Sequence, residues 1–175
     1  MTAHENDILP LEEIKKIIRK KQRVIKADNK DLPSFGYSKG FGIPHLESNE
    51  EYHYVVAERG TELRRSSTRN LDEFLYWVFR DISFNMSSRY ELENREANLD
   101  SRRKLFEHQR KIMALLSPEW ESKIQEEQNQ ILKKHPYDDY SSPRADYYIE
   151  LKNTLAKELA WAKACEKFPL PKSTE

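Results

Sequence analysis

The sequence has few of the features that covalent frameworks or membrane spans require. It contains a single cysteine, Cys165, so a disulfide framework is excluded and a reducing compartment is favoured. No stretch approaches the roughly 20 apolar residues that a membrane-spanning helix needs. Positions 1–10 also lack the basic start and apolar run of a signal peptide. We therefore expect a cytoplasmic protein without a membrane partner.

Net charge of either sign is also absent. The chain balances 30 Lys and Arg residues against 30 Asp and Glu residues, so the overall basic charge of a nucleic-acid binder is missing. Intrinsic disorder is excluded, because 11% of the residues are aromatic. A length of 175 residues predicts one compact domain over positions 1–175.

Motifs of common catalytic and metal sites are missing as well. There is no glycine-rich phosphate loop, no Gly-x-Ser-x-Gly elbow, no His-Glu-x-x-His and no paired-cysteine spacing. The five histidines are scattered along the chain. We predict that the protein is not an enzyme and that it binds no metal or cofactor. A hydrolase using Glu91, Glu93 and Asp100 is a weaker alternative, since nearby arginines suit these acids better to ion-pair networks.

Helical patterns occupy most of the sequence. Apolar spacing, N-cap residues and prolines predict helices over 11–26, about 70–94, a segment between 100 and 117, 118 to about 134, and 142 to about 167. Asn70 and Glu73 predict a capping box at the start of the second helix. Its aromatic residues predict burial around much of its circumference.

A glycine-rich stretch and a hairpin pattern separate the first two helices. Residues 31–49 interleave glycines with Phe35, Tyr37 and Phe41, which predicts an ordered loop or short strand packed on the core. Alternation over 52–57, a turn at Gly60 and a return over 61–68 predict an antiparallel hairpin. The expected fold is α+β and predominantly helical, a helical bundle with a small antiparallel β-sheet toward the N-terminal side.

Motifs spread over about 33–139 resemble one known family in their order and spacing. They lie at positions 35–38, 52–63, 71–79, 90–92, 100–103 and 131–138. This pattern resembles immunity protein family 63 of bacterial polymorphic-toxin systems, such as those of contact-dependent growth inhibition. The resemblance implies a stoichiometric inhibitor that protects its producer from a toxin delivered by neighbouring cells.

The partner implied by this resemblance is a cognate toxin domain, bound one-to-one. Nucleases are frequent among such toxins, so we expect a nuclease, such as an EndoU-type RNase, whose active site the protein covers. Tyrosines give rigid contact area and carboxylates complement a phosphate-binding cleft, which makes aromatic and acidic loop residues the candidate anchors. The candidates are Tyr137, Asp138, Asp139 and Tyr140 in one loop and Glu47, Glu50 and Glu51 in another. An ordinary helix connection is the alternative interpretation of the first loop.

A second function stays open, that of a nucleic-acid-associated regulator. It would use the basic first helix together with basic residues of the hairpin and its flank. These residues are Lys20, Lys21, Arg23, Lys26, Arg64, Arg65 and Arg69. The basic run also has a local explanation, because cations are favoured near the C-terminus of a helix. Direct nucleic-acid binding is therefore not the leading expectation.

Overall fold

The computed structural model describes residues 8–172. Six α-helices and four β-strands follow one another within this range. The helices are α1 Leu11–Ile25, α2 Leu71–Glu93, α3 Ser101–Leu116, α4 Pro118–Lys134, α5 Ser141–Leu151 and α6 Lys157–Lys167. The strands are β1 Ser34–Phe35, β2 Pro44–Ser48, β3 Tyr52–Glu58 and β4 Thr61–Thr68. The predicted α+β, predominantly helical fold is confirmed.

The four strands form one sheet in the order β1-β2-β3-β4. Strands β3 and β4 pair antiparallel, which confirms the predicted hairpin, and β2 also pairs antiparallel with β3. Strand β1 runs parallel to β2, so the sheet is mixed and not purely antiparallel as expected. Residues 31–49, for which the sequence predicts an ordered loop or a short strand, contain both β1 and β2, with two and five residues.

Helix α2 begins at a cap that the sequence predicts only in part. The Asn70 side chain accepts a hydrogen bond of 3.0 Å from the backbone N–H of Glu73, as expected of an N-cap. The Glu73 carboxylate accepts from the Thr68 hydroxyl at 2.7 Å, and that hydroxyl in turn accepts from the N–H of Asn70. Thr68 therefore stands between the two residues of the predicted capping box.

The core lies between the sheet and helices α1 to α4. The Phe74 ring stacks on Tyr52 with 5.1 Å between centroids, and Phe79 stacks on Trp120 at 5.9 Å. Helix α2 is buried along most of this face, which confirms its predicted place in the core. Phe84 is the exception: it is 47% exposed, although the sequence predicts that it widens the buried face.

Residues beyond Tyr140 form a helical hairpin, where the sequence predicts one continuous helix. The prediction is wrong because both the N–H and the hydroxyl of Thr154 bond the carbonyl of Leu151, which ends the helical hydrogen-bond ladder. Helix α6 then folds back on α5, and Trp161 meets Tyr148 edge to face at 5.8 Å. Neither helix contributes to the central core cluster within the described range.

Candidate partner-binding surfaces

The loop between α4 and α5 contains four of the predicted anchors, and both of its acids are already paired. Asp139 accepts two hydrogen bonds of 2.8 Å from Arg103 of α3. Asp138 forms an ion pair with Arg144 of α5, whose side chain is 4% exposed. The two carboxylates therefore connect the loop to the helices on either side of it.

Asp100 is the centre of the hydrogen-bond network behind this loop. Its carboxylate caps α3 by accepting from the N–H of Arg102 at 3.0 Å, and it accepts from the N–H of Asp138 at 2.9 Å. The Arg102 side chain binds the same carboxylate and donates to the carbonyls of His135 and Pro136. Burial alone would raise the pKa of Asp100, but these hydrogen bonds outweigh burial and lower the pKa to about 2.

The two tyrosines of the loop differ in exposure. The Tyr137 ring lies 4.2 Å from the Arg103 guanidinium and beside Phe106. Tyr140 is 51% exposed and borders Phe168, with 6.2 Å between ring centroids. Among the four anchors predicted in this loop, Tyr140 is the one that a partner could reach without displacing an arginine.

The second group of predicted anchors lies at the end of β2 and in the turn that follows. Glu47 pairs with Arg65 at 2.8 Å and with His45 at 3.0 Å. The hydrogen bond from Arg65 lowers the pKa of Glu47. Glu50 is exposed and Glu51 partly so, and neither is paired with a cation within residues 8–172. Glu50 and Glu51 are therefore the more available acids of this group.

Two of the three acids of the hydrolase alternative, Glu91 and Asp100, form ion pairs, whereas Glu93 is exposed and has no ion pair within residues 8–172. Glu91 of α2 binds Arg95 through two hydrogen bonds of 2.8 and 2.7 Å, and Asp100 is paired with Arg102. The hydrogen bond from Arg95 lowers the pKa of Glu91. These contacts confirm the interpretation of this segment as an ion-pair network.

One serine and histidine also lie within hydrogen-bond distance. The Ser87 hydroxyl is 3.0 Å from Nδ1 of His108, and the Tyr90 ring stacks on the imidazole at 3.9 Å. Burial lowers the pKa of His108. Ser87 is fully buried, so a substrate cannot reach its hydroxyl. This pair therefore joins α2 to α3.

Residues 8–172 contain neither a candidate metal-binding cluster nor a helix that could span a membrane. No group of three or more His, Cys, Asp or Glu side chains in this range could hold a metal ion. No helix in the same range is long and apolar enough to cross a membrane. His4, one of the five histidines considered in the sequence, lies outside the described residues.

The basic residues of the nucleic-acid alternative lie on separate surfaces. On α1, the Lys21 ammonium lies 4.7 Å from the centroid of the Trp120 ring, which it covers. Arg65 of β4 is held by Glu47 of β2. Helix α1 packs beside β2, whereas β4 lies at the opposite edge of the sheet from β1. The two basic groups are therefore separated by strand β3.

A third surface, which the sequence does not predict, surrounds Phe41. Gly40, Phe41 and Gly42 all adopt left-handed φ values, of 72°, 57° and 68°. Phe41 is 91% exposed and Tyr37 is 61% exposed, so the prediction that these aromatics pack on the core is wrong. A left-handed backbone costs a residue with a side chain about 1–2 kcal/mol. Phe41 is therefore both strained and unburied.

Beside Phe41, a groove runs between α2 and the sheet. Two adjoining cavities of about 180 and 430 Å³ share part of their lining in this groove. With Phe41 they make up the Phe41 groove, whose other principal residues are Gly42, Ile43, Pro44, Val56, Arg64, Asp81, Phe84 and Asn85. Phe84 and Ile43 are 47% and 37% exposed. The groove therefore has an apolar rim.

Comparison with known proteins finds a family match for the middle of the chain. The family model described as Immunity protein 63 matches residues 48–130. This segment runs from the last residue of β2 into α4 and contains the hairpin, α2 and α3. It lies inside the range 33–139 over which the motifs resemble the same family. Neither a curated protein nor a solved structure matches the chain. Residues 48–130 of this chain are therefore similar to the immunity protein 63 family.

Proposed function

We propose that this chain neutralises a cognate protein toxin in the cytoplasm by binding it one-to-one and covering its active site. The match of residues 48–130 to immunity protein 63 carries the proposal. A binding function needs exposed anchors and no reactive group. The inaccessible Ser87 hydroxyl and the ion-paired carboxylates of Glu91 and Asp100 agree with such a function.

The toxin in this proposal is a nuclease. More specifically, we propose an RNase of the EndoU type that is delivered by a contact-dependent growth inhibition system. A nuclease cleft is lined by cations that bind phosphate groups, and acidic side chains complement such a cleft. Glu50 and Glu51 supply unpaired acids within the described range, and Tyr140 supplies an exposed aromatic ring. Among the predicted anchors these three support the proposal most directly.

Co-expression with the toxin domain encoded by the adjacent gene tests this function. The toxin domain alone should arrest growth, and this chain should restore it, whereas an immunity protein of an unrelated family should not. The purified pair should bind with a Kd in the nanomolar range or below, over an interface of about 1,200–2,000 Å². Degradation of RNA or DNA by the free toxin domain then identifies the nuclease. Growth arrest that persists despite equal expression of this chain would contradict the proposal.

One observation favours the nucleic-acid alternative. A depression on α1 is lined mainly by basic side chains, those of Lys15, Lys16, Arg19, Lys20 and Arg23. Binding of RNA or DNA that is present at physiological salt and falls steeply as salt rises would support this alternative. Lack of binding at low salt would exclude it. Lys15 and Lys16 already pair with Glu12 and Glu13, which weakens the cationic character of the depression.

A further inference from the structure

Phe41 is the most exposed large apolar side chain among residues 8–172. Its ring buries almost no surface and its backbone is strained, so the residue opposes folding on both counts. The glycines on either side adopt the same conformation without that strain. A phenylalanine at this position is therefore explained by a contact that the free chain does not make.

The groove beside Phe41 extends the same apolar surface. Phe84 interrupts the buried face of α2 and lines the outer cavity together with Gly42. Ile43 lines the inner cavity. Phe41 itself projects outside both cavities, and exposed aromatic residues beside an apolar groove are typical of the anchors that dominate binding energy in protein interfaces.

Cationic side chains also lie in and near the groove, and its two acids, Asp31 and Asp81, are already bound by arginines. Asp81 is already bound by the Tyr54 hydroxyl at 2.5 Å and by Nε of Arg80 at 3.3 Å. Lys39 lines neither cavity, but it is exposed two positions before Phe41 and has no ion pair within residues 8–172. Lys30 lines the inner cavity and pairs only with Asp28, whose side chain is 65% exposed. Arg64 adds a third cation at the outer cavity, where its guanidinium lies 4.0 Å from the Asp81 carboxylate. A surface of this kind complements an apolar pocket bordered by carboxylates.

We propose that the Phe41 groove binds the cognate toxin, and that the Phe41 ring enters an apolar pocket of the toxin bordered by Asp or Glu side chains. This inference rests on the proposed function, because it names the surface through which the toxin is bound. The interface is larger than one anchor, so the groove and the acids of the β2–β3 turn can each contact a different part of the toxin.

The free edge of β4 is a less suitable docking surface. A bulge opposite Val56 and Ala57 leaves Leu63 without a partner on β3. Bulges and charged side chains on an edge strand obstruct the addition of another strand. β4 has both, since Glu62, Arg64 and Arg65 follow one another closely along it.

Phe41→Asn is the decisive variant, because asparagine tolerates a left-handed backbone while the aromatic ring is removed. Leu115→Gln is the matched control, since Leu115 is 64% exposed on α3 and lies outside the groove. Titration calorimetry of the full chain with the toxin domain from the adjacent gene measures the Kd. We expect Phe41→Asn to raise the Kd at least about 30-fold and Leu115→Gln to change it less than about 3-fold. Neither substitution should lower the melting temperature of the free chain.

Charge reversal tests the acidic border of the toxin pocket. Lys39→Glu should slow association with the toxin domain several-fold, and the effect should shrink as salt rises. Lys163→Glu is the control, because Lys163 is exposed on α6 and has no ion pair within the described range. Equal or faster association of the Lys39→Glu variant would contradict an acidic border.

The outcomes separate this inference from the proposed function. If Phe41→Asn binds the toxin domain with unchanged affinity, the Phe41 groove is not the toxin-binding surface, but the proposed neutralisation still stands. Failure of the wild-type chain to bind the toxin domain would overturn the proposed function and this inference with it. A lower melting temperature of free Phe41→Asn would make Phe41 a structural residue and also overturn the inference. Self-association of the wild-type chain that Phe41→Asn abolishes would assign the groove to a second copy of this chain.

Discussion

At the scale of single residues, Asp100 joins helix α3 to the loop that follows α4. Its carboxylate accepts backbone N–H groups from both segments, those of Arg102 and Asp138. Its folded-state pKa of about 2 lies below the ordinary value of 3.8. The ionised carboxylate therefore stabilises the fold above about pH 4, and this contribution is lost as the pH falls from about 4 to about 2.

Asp100→Asn should remove this contribution. We expect the free energy of unfolding to fall by about 2 kcal/mol at pH 7, and the difference from wild type to shrink as the pH approaches about 2. Urea unfolding of both proteins over this pH range measures the difference. Asp146→Asn is the control, because Asp146 is exposed on α5. A difference that stays constant down to the lowest pH would show that the Asp100 pKa is not depressed.

Asp138 and Asp139 should differ in their contribution to stability. Asp138→Ala leaves the buried guanidinium of Arg144, 4% exposed, without its carboxylate, and should cost about 3 kcal/mol. Asp139→Ala affects Arg103, which is 43% exposed, and should cost less than about 1 kcal/mol. Thermal melts of the two single variants make the comparison. Equal melting temperatures would contradict a buried Asp138–Arg144 pair. A joint substitution of both acids would therefore alter stability as well as any toxin contact.

The sequence could not predict these residue contacts. The partner of Asp139 lies 36 residues earlier in the chain, so no local pattern connects them. Phe41 is a different case. An aromatic residue between two glycines is visible in the sequence, but its exposure follows from three successive left-handed residues. The conformational preferences of these residue types are equally compatible with a Phe41 ring that packs on the core.

At the scale of elements, local signals explain which segments are predictable. Helix α2 and the β3–β4 hairpin are predicted because a cap, a helical period and a turn glycine all act within a few positions. Strand β1 depends on pairing with β2, and β2 depends on pairing with β3, so each needs a partner that lies further along the chain. The break between α5 and α6 depends on the hydrogen bond that the Thr154 hydroxyl donates to the carbonyl of Leu151. The helical spacing of apolar residues does not reveal this contact.

The packing of α2 predicts different costs for two neighbouring aromatics. Phe79 is fully buried and stacks on Trp120, so Phe79→Ala should lower the free energy of unfolding by about 3–5 kcal/mol. Trp77 is partly buried at the edge of the core, so Trp77→Ala should cost less. Denaturant unfolding of both variants gives the ranking. A larger cost for Trp77→Ala would mean that α2 is rotated about its axis relative to this packing.

At the scale of the whole molecule, the exposed anchors lie both inside and outside the family match: Glu50 and Glu51 fall inside it, and Phe41 and Tyr140 fall outside it. Residues 48–130 contain the hairpin, α2 and α3, which supply much of the core. The Phe41 loop, α1 and the α5–α6 hairpin lie outside the match. We propose that the shared segment builds the scaffold, and that Phe41 and Tyr140 outside it, together with Glu50 and Glu51 inside it, help to determine which toxin is bound. We propose that all of positions 1–175 act as one domain.

Inhibition titrated against a fixed amount of the toxin domain tests the central claim most directly. If the chain neutralises the toxin by occupying it, nuclease activity should fall in proportion to added chain and vanish at one chain per toxin, provided that the toxin concentration is well above the Kd. The Leu115→Gln variant should give the same end point. Complete inhibition far below one chain per toxin would indicate catalysis, and full nuclease activity at a several-fold excess of chain would mean that this protein does not neutralise that toxin.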